Sequence, residues 1–109
     1  MSSTPALRVV LTTLPNAEIA GRLAREMVEL KLAACVNVLS PCLSVYRWRD
    51  AVQEDGEIPL IIKTTVDRYP ALETFLRDRH PYQVPEILAI DVADGLPDYL
   101  SWAAEAAQV

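Results

Sequence analysis

The sequence predicts an α+β domain in which four strands form an antiparallel sheet. Short β-branched runs alternate with amphipathic stretches in the order β-α-β-β-α-β-α. The chain has 109 residues, which is enough for one domain with a core that needs no disulfide or metal. Its hydrophobic content of 51% is high for so small a domain. We therefore expect part of the apolar surface to face another chain.

The first half of the chain predicts two strands around a helix. Residues Leu7–Thr13 are mostly apolar and β-branched, which is typical of a strand covered on both faces. Asn16 is the predicted N-cap of a helix over residues 17–30, where apolar side chains recur at helical spacing. Residues 33–39 and 44–49 predict one long strand, with a bend or bulge at the proline between them.

A hairpin is predicted in the middle of the chain. Residues Asp50–Gly56 are polar and are predicted to form a flexible turn before a third strand at Glu57–Thr65. Pro59 indicates that the start of this strand is unpaired or at an edge. In the preceding strand Tyr46 and Trp48 share one face, so both faces of the hairpin carry large side chains.

The second half predicts two further helices and a fourth strand. Asp67 is the predicted cap of a helix whose inner line includes Arg79 and which ends at His80-Pro81. Residues Ile87–Val92 predict the fourth strand, and a last helix is predicted over residues 97–108. This order is that of the ferredoxin-like split βαβ arrangement, with both long helices on one sheet face. The other face would be bare, so we expect another subunit to cover it.

The segment Arg79–Leu88 is the predicted binding segment. It holds the single histidine of the chain, and Pro81 and Pro85 make it stiff without making it regular. A stiff loop with an imidazole, a phenol, an amide and a carboxylate can hold polar groups in fixed positions. The alternative interpretation is a plain connector between a helix and a strand.

Composition argues against several function classes. The net charge is −5 with scattered basic residues, which does not predict a nucleic-acid site. Three glycines and the lack of a serine elbow argue against phosphate-loop or hydrolase chemistry, so an enzyme is not predicted. Cys35 and Cys42 are expected to be reduced thiols. The start lacks a secretory pattern and no apolar run approaches a membrane span, so a cytoplasmic protein without a membrane span is expected.

Soft metal ligands are few in this sequence. Cys35, Cys42 and His80 are the available ones, with no CxxC motif and no histidine pair. Cys35 can equally be a small buried hydrophobic residue, and His80 can be a cation at a helix C-terminus. Trp48 and Trp102 are interpreted first as core or subunit-contact residues.

Five motifs in order and spacing resemble the CutA divalent-cation tolerance family over about residues 7 to 105. The resemblance implies a single domain over residues 1–109, with residues 1–6 flexible. It also implies a homotrimer similar to the PII signalling proteins and a role in tolerance to copper and other divalent cations. The motifs are Leu32-Ala33-Ala34-Cys35-Val36-Asn37, Tyr46-Arg47-Trp48, Leu60-Ile61-Ile62-Lys63-Thr64, His80-Pro81-Tyr82-Gln83-Val84-Pro85-Glu86-Ile87 and Tyr99-Leu100-Ser101-Trp102.

The resemblance also implies where a metal would bind. Copper ligation in the family falls on a cysteine at the end of the first strand and on a histidine pair before the Pro-Tyr of the loop. Here Thr12 and Arg79-His80 stand at those places, so His80 is the expected ligand for Cu(II) or another divalent cation. No organic cofactor is expected. The alternative is a PII-like trimeric sensor or scaffold that binds a small molecule or a partner protein. The candidate cleft residues are Tyr82, Glu86, Lys63 and Cys35, and the candidate trimer contacts are Tyr46, Trp48 and Trp102.

Overall fold

The structure is a computed structural model and describes residues 6–109. The predicted α+β order is confirmed, with the second predicted strand divided into two. Of the N-terminal residues predicted to be flexible, 1–5 lie outside the described residues, and the carbonyl of Ala6 accepts a hydrogen bond from the amide of Val66 (3.1 Å). The elements are β1 (Leu7–Leu14), α1 (Ala17–Glu29), β2 (Cys35–Val38), β3 (Cys42–Trp48), β4 (Ala51–Thr65), α2 (Tyr69–Arg79), β5 (Leu88–Asp91) and α3 (Pro97–Ala106).

The long strand β4 organises the sheet. The strand order is β2-β4-β1-β5, β3 also pairs with β4, and every pair is antiparallel. This is the ferredoxin-like arrangement, in which β2 and β3 together take the place of one strand. Val38 pairs with Leu60 and Cys42 pairs with Glu57, so three residues lie opposite two. The predicted bulge is therefore present.

Pro59 lies inside the sheet, so the prediction of an edge or unpaired position is wrong. It stands opposite Thr13 of β1, and its carbonyl accepts a hydrogen bond from the amide of Leu39 (3.0 Å). The N and C=O of one strand residue point to the same neighbouring strand. The missing N–H of Pro59 therefore faces the bulge, where no ladder bond is lost.

The turn of the β3–β4 hairpin is shorter than predicted. Arg49 and Asp50 make it, with φ values of 50° and 65°, and β4 begins at Ala51. The prediction of a flexible turn at Asp50–Gly56 is wrong. These residues are too polar to show a hydrophobic alternation, and their pairing with β3 makes them a strand.

The helix starts differ in how well local signals predicted them. The side chain of Asn16 accepts a hydrogen bond from the amide of Ile19 (2.9 Å), which confirms the predicted cap of α1. At α2 the N-cap residue is Arg68, whose amide donates to Thr65 Oγ1 (3.1 Å), so the predicted cap at Asp67 is wrong.

Arg79, the last residue of α2, was wrongly predicted to face inward. Its guanidinium lies at the surface, contacts the carboxylate of Glu26 and stacks on the Phe75 ring (4.6 Å to the centroid).

Two apolar clusters hold the layers together. The larger one lies between α1, α2 and the sheet face that carries Val10 and Ile62. A smaller one joins α3 to the opposite face through Leu7, Leu100 and Ala103. Outside this cluster the opposite face is only partly covered, since its β1 residues are half-buried and the β5 residues are exposed. Among residues 6–109, no helix combines the length and apolar character needed to cross a bilayer.

Candidate ligand cleft

A cleft of about 700 Å³ opens between the β3–β4 hairpin and the segment that leads from α2 to β5. We call it the hairpin cleft. The predicted binding segment thus forms one wall, and the hairpin forms the other. The lining residues are Thr13, Ser44, Val45, Tyr46, Trp48, Asp55, Glu57, Pro81, Tyr82, Gln83, Val84 and Glu86.

Strand pairing brings polar groups from β3 and β4 to the same side of the hairpin. Ser44 lies opposite Asp55 and Cys42 lies opposite Glu57, and side chains of directly opposed residues point to one face. The hydroxyl of Tyr46 donates a hydrogen bond to the Asp55 carboxylate. This bond raises the pKa of Tyr46 above 10.0. The hairpin therefore presents two carboxylates and a tyrosine to the cleft.

Glu57 is a buried carboxylate, with only 8% of its surface exposed. Burial by itself would raise its pKa, but the hydroxyls of Ser44, Tyr82 and Thr13 donate hydrogen bonds to it. The pKa of Glu57 is therefore lowered from its ordinary 4.5. Glu57 is therefore an anion at neutral pH.

Tyr82 is a firm donor to this carboxylate. Burial is the largest cause that raises the pKa of Tyr82, followed by its hydrogen bond to Glu57 and the charge of that group. The phenol therefore stays protonated at all physiological pH values. Its bond to Glu57 ties the α2–β5 segment to β4.

His80 uses both ring nitrogens within the protein. Its Nε2 lies 2.8 Å from the carbonyl oxygen of Thr13, and its Nδ1 accepts a hydrogen bond from the amide of Tyr82 (3.2 Å). A carbonyl can only accept and an amide N–H can only donate, so the ring is neutral with its proton on Nε2. Burial lowers the pKa of His80 below 6.5, although the bond to Thr13 and the charge of Glu57 act in the opposite direction.

Metal ligation by His80 stays a prediction, and it requires one of these two hydrogen bonds to break. In this structure His80 positions the backbone of Tyr82 and lies against its ring, with 4.8 Å between centroids. Within the described range 6–109, no group of three or more His, Cys, Asp or Glu side chains is arranged to hold a metal ion.

The other predicted cleft residues divide into two pairs. Tyr82 and Glu86 line the hairpin cleft. Cys35 and Lys63 lie opposite each other in β2 and β4, outside the residues that line it. The amino group of Lys63 donates to the side-chain oxygen of Asn37. Cys35 is half-buried and Cys42 is exposed, and neither forms a disulfide within residues 6–109.

Thr12, at the position where the resemblance implies a cysteine ligand, faces the helices rather than the cleft. It lies between Val10 and Leu14 on the buried line of β1 and is 1% exposed. Its hydroxyl has no hydrogen-bond partner among the residues described. Thr12 and His80 therefore do not share a site through their side chains.

The candidate trimer contacts differ in their surroundings. Trp102 lies on α3 against Tyr99, with 5.5 Å between ring centroids, and is 48% exposed. Trp48 lies at the hairpin tip, where the Arg49 guanidinium is 5.4 Å from its ring centroid. Arg49 also donates to the side-chain oxygen of Gln83 (3.3 Å), so it links the two walls of the cleft at the tip.

Sequence reasoning missed Ser44, Asp55 and Glu57 as site residues. Glu57 was interpreted as the first residue of a strand, and Asp55 as part of a turn. No periodic signal marks them, because the positions between them are Glu54 and Gly56 rather than apolar residues. Their place on one face follows only from the pairing of β4 with β3.

Comparisons with known proteins agree with this fold along nearly the whole chain. The family profile described as CutA1 divalent ion tolerance protein matches residues 8–106. The divalent-cation tolerance protein CutA of Thermus thermophilus is 45% identical over 97 residues, which are 89% of this chain and 94% of that protein. Protein CutA of Mus musculus is 41% identical over 97 residues, and the match spans 89% of this chain and 55% of the mouse protein.

Solved structures give the same result. The structure of the divalent cation tolerance protein Cut A1 from Thermus thermophilus has a TM-score of 0.89 at 44% identity and covers 92% of this chain and 97% of that one. CutA1 from Oryza sativa has a TM-score of 0.92 at 41% identity and covers 96% of each chain. Because the family profile matches residues 8–106 and these relatives are 41–45% identical over most of the chain, the chain belongs to the CutA1 divalent ion tolerance protein family.

Proposed function

We propose that this chain is a cytoplasmic, homotrimeric divalent-cation tolerance protein that takes part in the response to copper and related ions. The match over residues 8–106 to a family named for divalent ion tolerance carries this proposal. Among the cleft residues that the structure describes, nothing resembles a nucleophile paired with a base, because His80 is engaged with backbone groups. We therefore propose a binding or response function rather than catalysis.

A trimer is supported by the apolar side chains that a single chain leaves in water. Leu43 and Val52 lie on the face of the hairpin that points away from Ser44 and Asp55, and they are 65% and 63% exposed. On the bare sheet face, Leu88 and Ile90 are more than half exposed. Such surfaces are typical of subunit interfaces. The proposed trimer contacts remain Tyr46, Trp48 and Trp102.

Metal binding is proposed at the hairpin cleft, where carboxylates are concentrated. Asp55 and Glu86 offer oxygen ligands to a divalent cation, and His80, directly before the lining residue Pro81, is the nitrogen ligand that the family resemblance implies. A single chain holds no complete metal cluster among residues 6–109, so we propose that subunit contact completes the site.

Native mass spectrometry with and without Cu(II) tests this proposal directly. The expected result is a particle of three times the 12.1 kDa chain mass that takes up copper. Uptake should fall in His80→Ala if the histidine ligates the metal, and in Glu86→Gln if the cleft carboxylates do. A trimer that stays free of copper would refute the direct metal site. A monomer would refute the assembly.

A PII-like sensor without a metal site is the second candidate function. The cleft volume of about 700 Å³ favours it, because small-molecule sites in proteins span roughly 300–1,000 Å³. The engagement of both His80 nitrogens also favours it. A melting-temperature screen separates the two candidates: a sensor responds to nucleotides or metabolites, and a metal protein responds to stoichiometric Cu(II).

A further inference from the structure

We infer that the hairpin cleft selects organic ammonium ions, that is, cations with an apolar body, over anions and neutral molecules. This inference deepens the second candidate function and rests on the cleft being a ligand site. It follows from three properties of the cleft: the sign of its charge, the nature of its walls and the state of its buried carboxylate.

The first property is an excess of negative charge in the body of the cleft, away from the Arg49 guanidinium that contacts Trp48 and Gln83 at the tip. Asp55, Glu57 and Glu86 line the cleft, and the described residues that line it include no lysine or arginine. Within residues 6–109, the ion pairs are Arg8–Asp91 and Arg79–Glu26, so neither Asp55 nor Glu57 is paired with a cation there. The groups that donate to the buried Glu57 are hydroxyls. Buried charges in proteins are usually paired, and a cationic ligand would supply the missing partner.

The second property is an aromatic surface beside that charge. Tyr46, Trp48 and Tyr82 line the same cleft. The faces of aromatic rings attract cations, and a methylated or alkylated ammonium fits them better than a strongly hydrated metal ion does. Trp48 already carries the Arg49 guanidinium at 5.4 Å from its centroid, which shows a cation held by this ring.

The third property separates an organic cation from a metal ion. Glu57 is only 8% exposed, so this carboxylate attracts a ligand by charge rather than by direct coordination. The volume of about 700 Å³ is also far larger than one metal ion needs. A ligand with an ammonium group and a body of several carbon atoms uses both the charge and the walls.

Tryptophan side-chain NMR on the intact protein tests the inference, because the sequence has two tryptophans. Trp48 lines the cleft, and Trp102 on α3 serves as the internal control. Titration with benzyltrimethylammonium should shift the Trp48 indole signal saturably and leave that of Trp102 unchanged. Benzyl alcohol, a neutral aromatic probe, and sulfate should give no saturable shift at the same concentrations.

A matched pair of variants locates the charge. Asp55→Asn keeps an acceptor for Tyr46 but removes the charge, and it should weaken ammonium binding by roughly tenfold. Glu54→Gln changes the same strand on the face away from Ser44 and Asp55, and it should leave the affinity unchanged. Three results would overturn the inference. They are equal affinity for benzyl alcohol, an Asp55→Asn variant that binds the ammonium as tightly as the unsubstituted protein, and a shift of the Trp102 signal alone.

Measurements of copper uptake and thermal response on the same samples distinguish failure of this inference from failure of the proposed functions. Copper uptake without ammonium binding would overturn this inference and support the metal site. A thermal response to nucleotides without ammonium binding would overturn it and retain the sensor function. Saturable ammonium binding that Asp55→Asn weakens supports it whether or not copper also binds.

Discussion

The imidazole of His80 and the carbonyl of Thr13, 67 residues apart in the chain, are joined by a hydrogen bond of 2.8 Å. The Tyr82 amide donates to the other imidazole nitrogen of His80 (3.2 Å), and hydrogen bonding with Tyr82 and Thr13 lowers the pKa of Glu57. These contacts connect the end of α2 to β1 and β4, so they shape one wall of the hairpin cleft.

Protonation of His80 should break its hydrogen bond with the Tyr82 amide. A second ring proton removes the acceptor at Nδ1, and the folded-state pKa already lies below 6.5. A lowered pKa means that the stabilising effect is present above pH 6.5 and is lost as the pH falls through the folded-state pKa. We expect the melting temperature to decline between pH 6.5 and about 5, and His80→Gln to show no such decline.

Because the sequence has one histidine, NMR titration of its ring protons reads this pKa without ambiguity. A measured pKa at or above 6.5 would contradict the hydrogen bonds described for the imidazole of His80.

Glu57→Gln should destabilise the protein at neutral pH. The amide replaces a charged acceptor of three hydroxyl bonds, so we expect a loss of roughly 1–3 kcal/mol in the free energy of unfolding. The pKa of Glu57 is lowered, so this difference should be full above pH 4.5 and shrink as the pH falls through the folded-state pKa.

Denaturant titrations at several pH values measure this effect, with Glu54→Gln as the control that changes an exposed carboxylate of the same strand. Similar losses in the two variants would show that the hydroxyl groups around Glu57 are not the cause.

Thr12→Val should leave the protein as stable as before or make it more stable, by up to about 1 kcal/mol. The substitution keeps the shape of a buried side chain and removes a hydroxyl that has no partner in the described structure. Thr64→Val is the matched control, because the Thr64 hydroxyl donates to the Leu32 carbonyl (2.7 Å) in the core. We expect that variant to lose roughly 1–3 kcal/mol in chemical denaturation. If Thr12→Val lost more stability than Thr64→Val, the Thr12 hydroxyl would have a hydrogen-bond partner.

Asp50→Gly should stabilise the hairpin. Asp50 has φ 65° in the two-residue turn, a region that glycine adopts without steric cost. We expect a gain of up to about 1 kcal/mol in the free energy of unfolding. Asp50→Ala, tested in the same assay, should instead lose stability, because alanine is unfavourable at positive φ. If alanine and glycine act alike, the effect comes from loss of the charge.

Val52→Asp should weaken self-association if the exposed hairpin face is an interface. Val52 is 63% exposed, and a carboxylate there costs little in a monomer but much in a buried contact. Light scattering after size-exclusion chromatography measures the mass. Leu30→Asp is the control, since Leu30 is 53% exposed at the end of α1. An unchanged mass for Val52→Asp would place the interface elsewhere.

Local signals in the sequence predicted most of the fold. The β1 run, the Asn16 cap and the end of α2 before Pro81 each depend on a few neighbouring residues, and each is present. The first half of β4 could not be predicted in this way. Its residues are polar, and only their register with β3 makes them a strand.

The residues of the candidate site were likewise predicted where local sequence was enough and missed where strand pairing was needed. Tyr82 and Glu86 belong to one stiff segment and were candidate ligand-cleft residues; both line the hairpin cleft, and their role in binding a ligand stays a prediction. Asp55 and Glu57 enter the cleft through strand pairing, which a periodicity analysis of one chain does not reveal. The engagement of both His80 nitrogens depends on Thr13, a contact across 67 positions.

The bulge opposite Pro59 determines which side chains the cleft can use. Asn37 and Ser44 are seven positions apart, so in a regular strand they would point to opposite sides. Their partners in the continuous strand β4, Ile61 and Asp55, are six positions apart and share a side. The bulge takes up the extra residue and so turns Ser44, Tyr46 and Trp48 toward the cleft, whereas a regular strand continuing from Asn37 would turn residues 43, 45 and 47 there instead. The chemistry of this site therefore depends on how the connection 39–41 is accommodated as much as on the identity of the residues beside it.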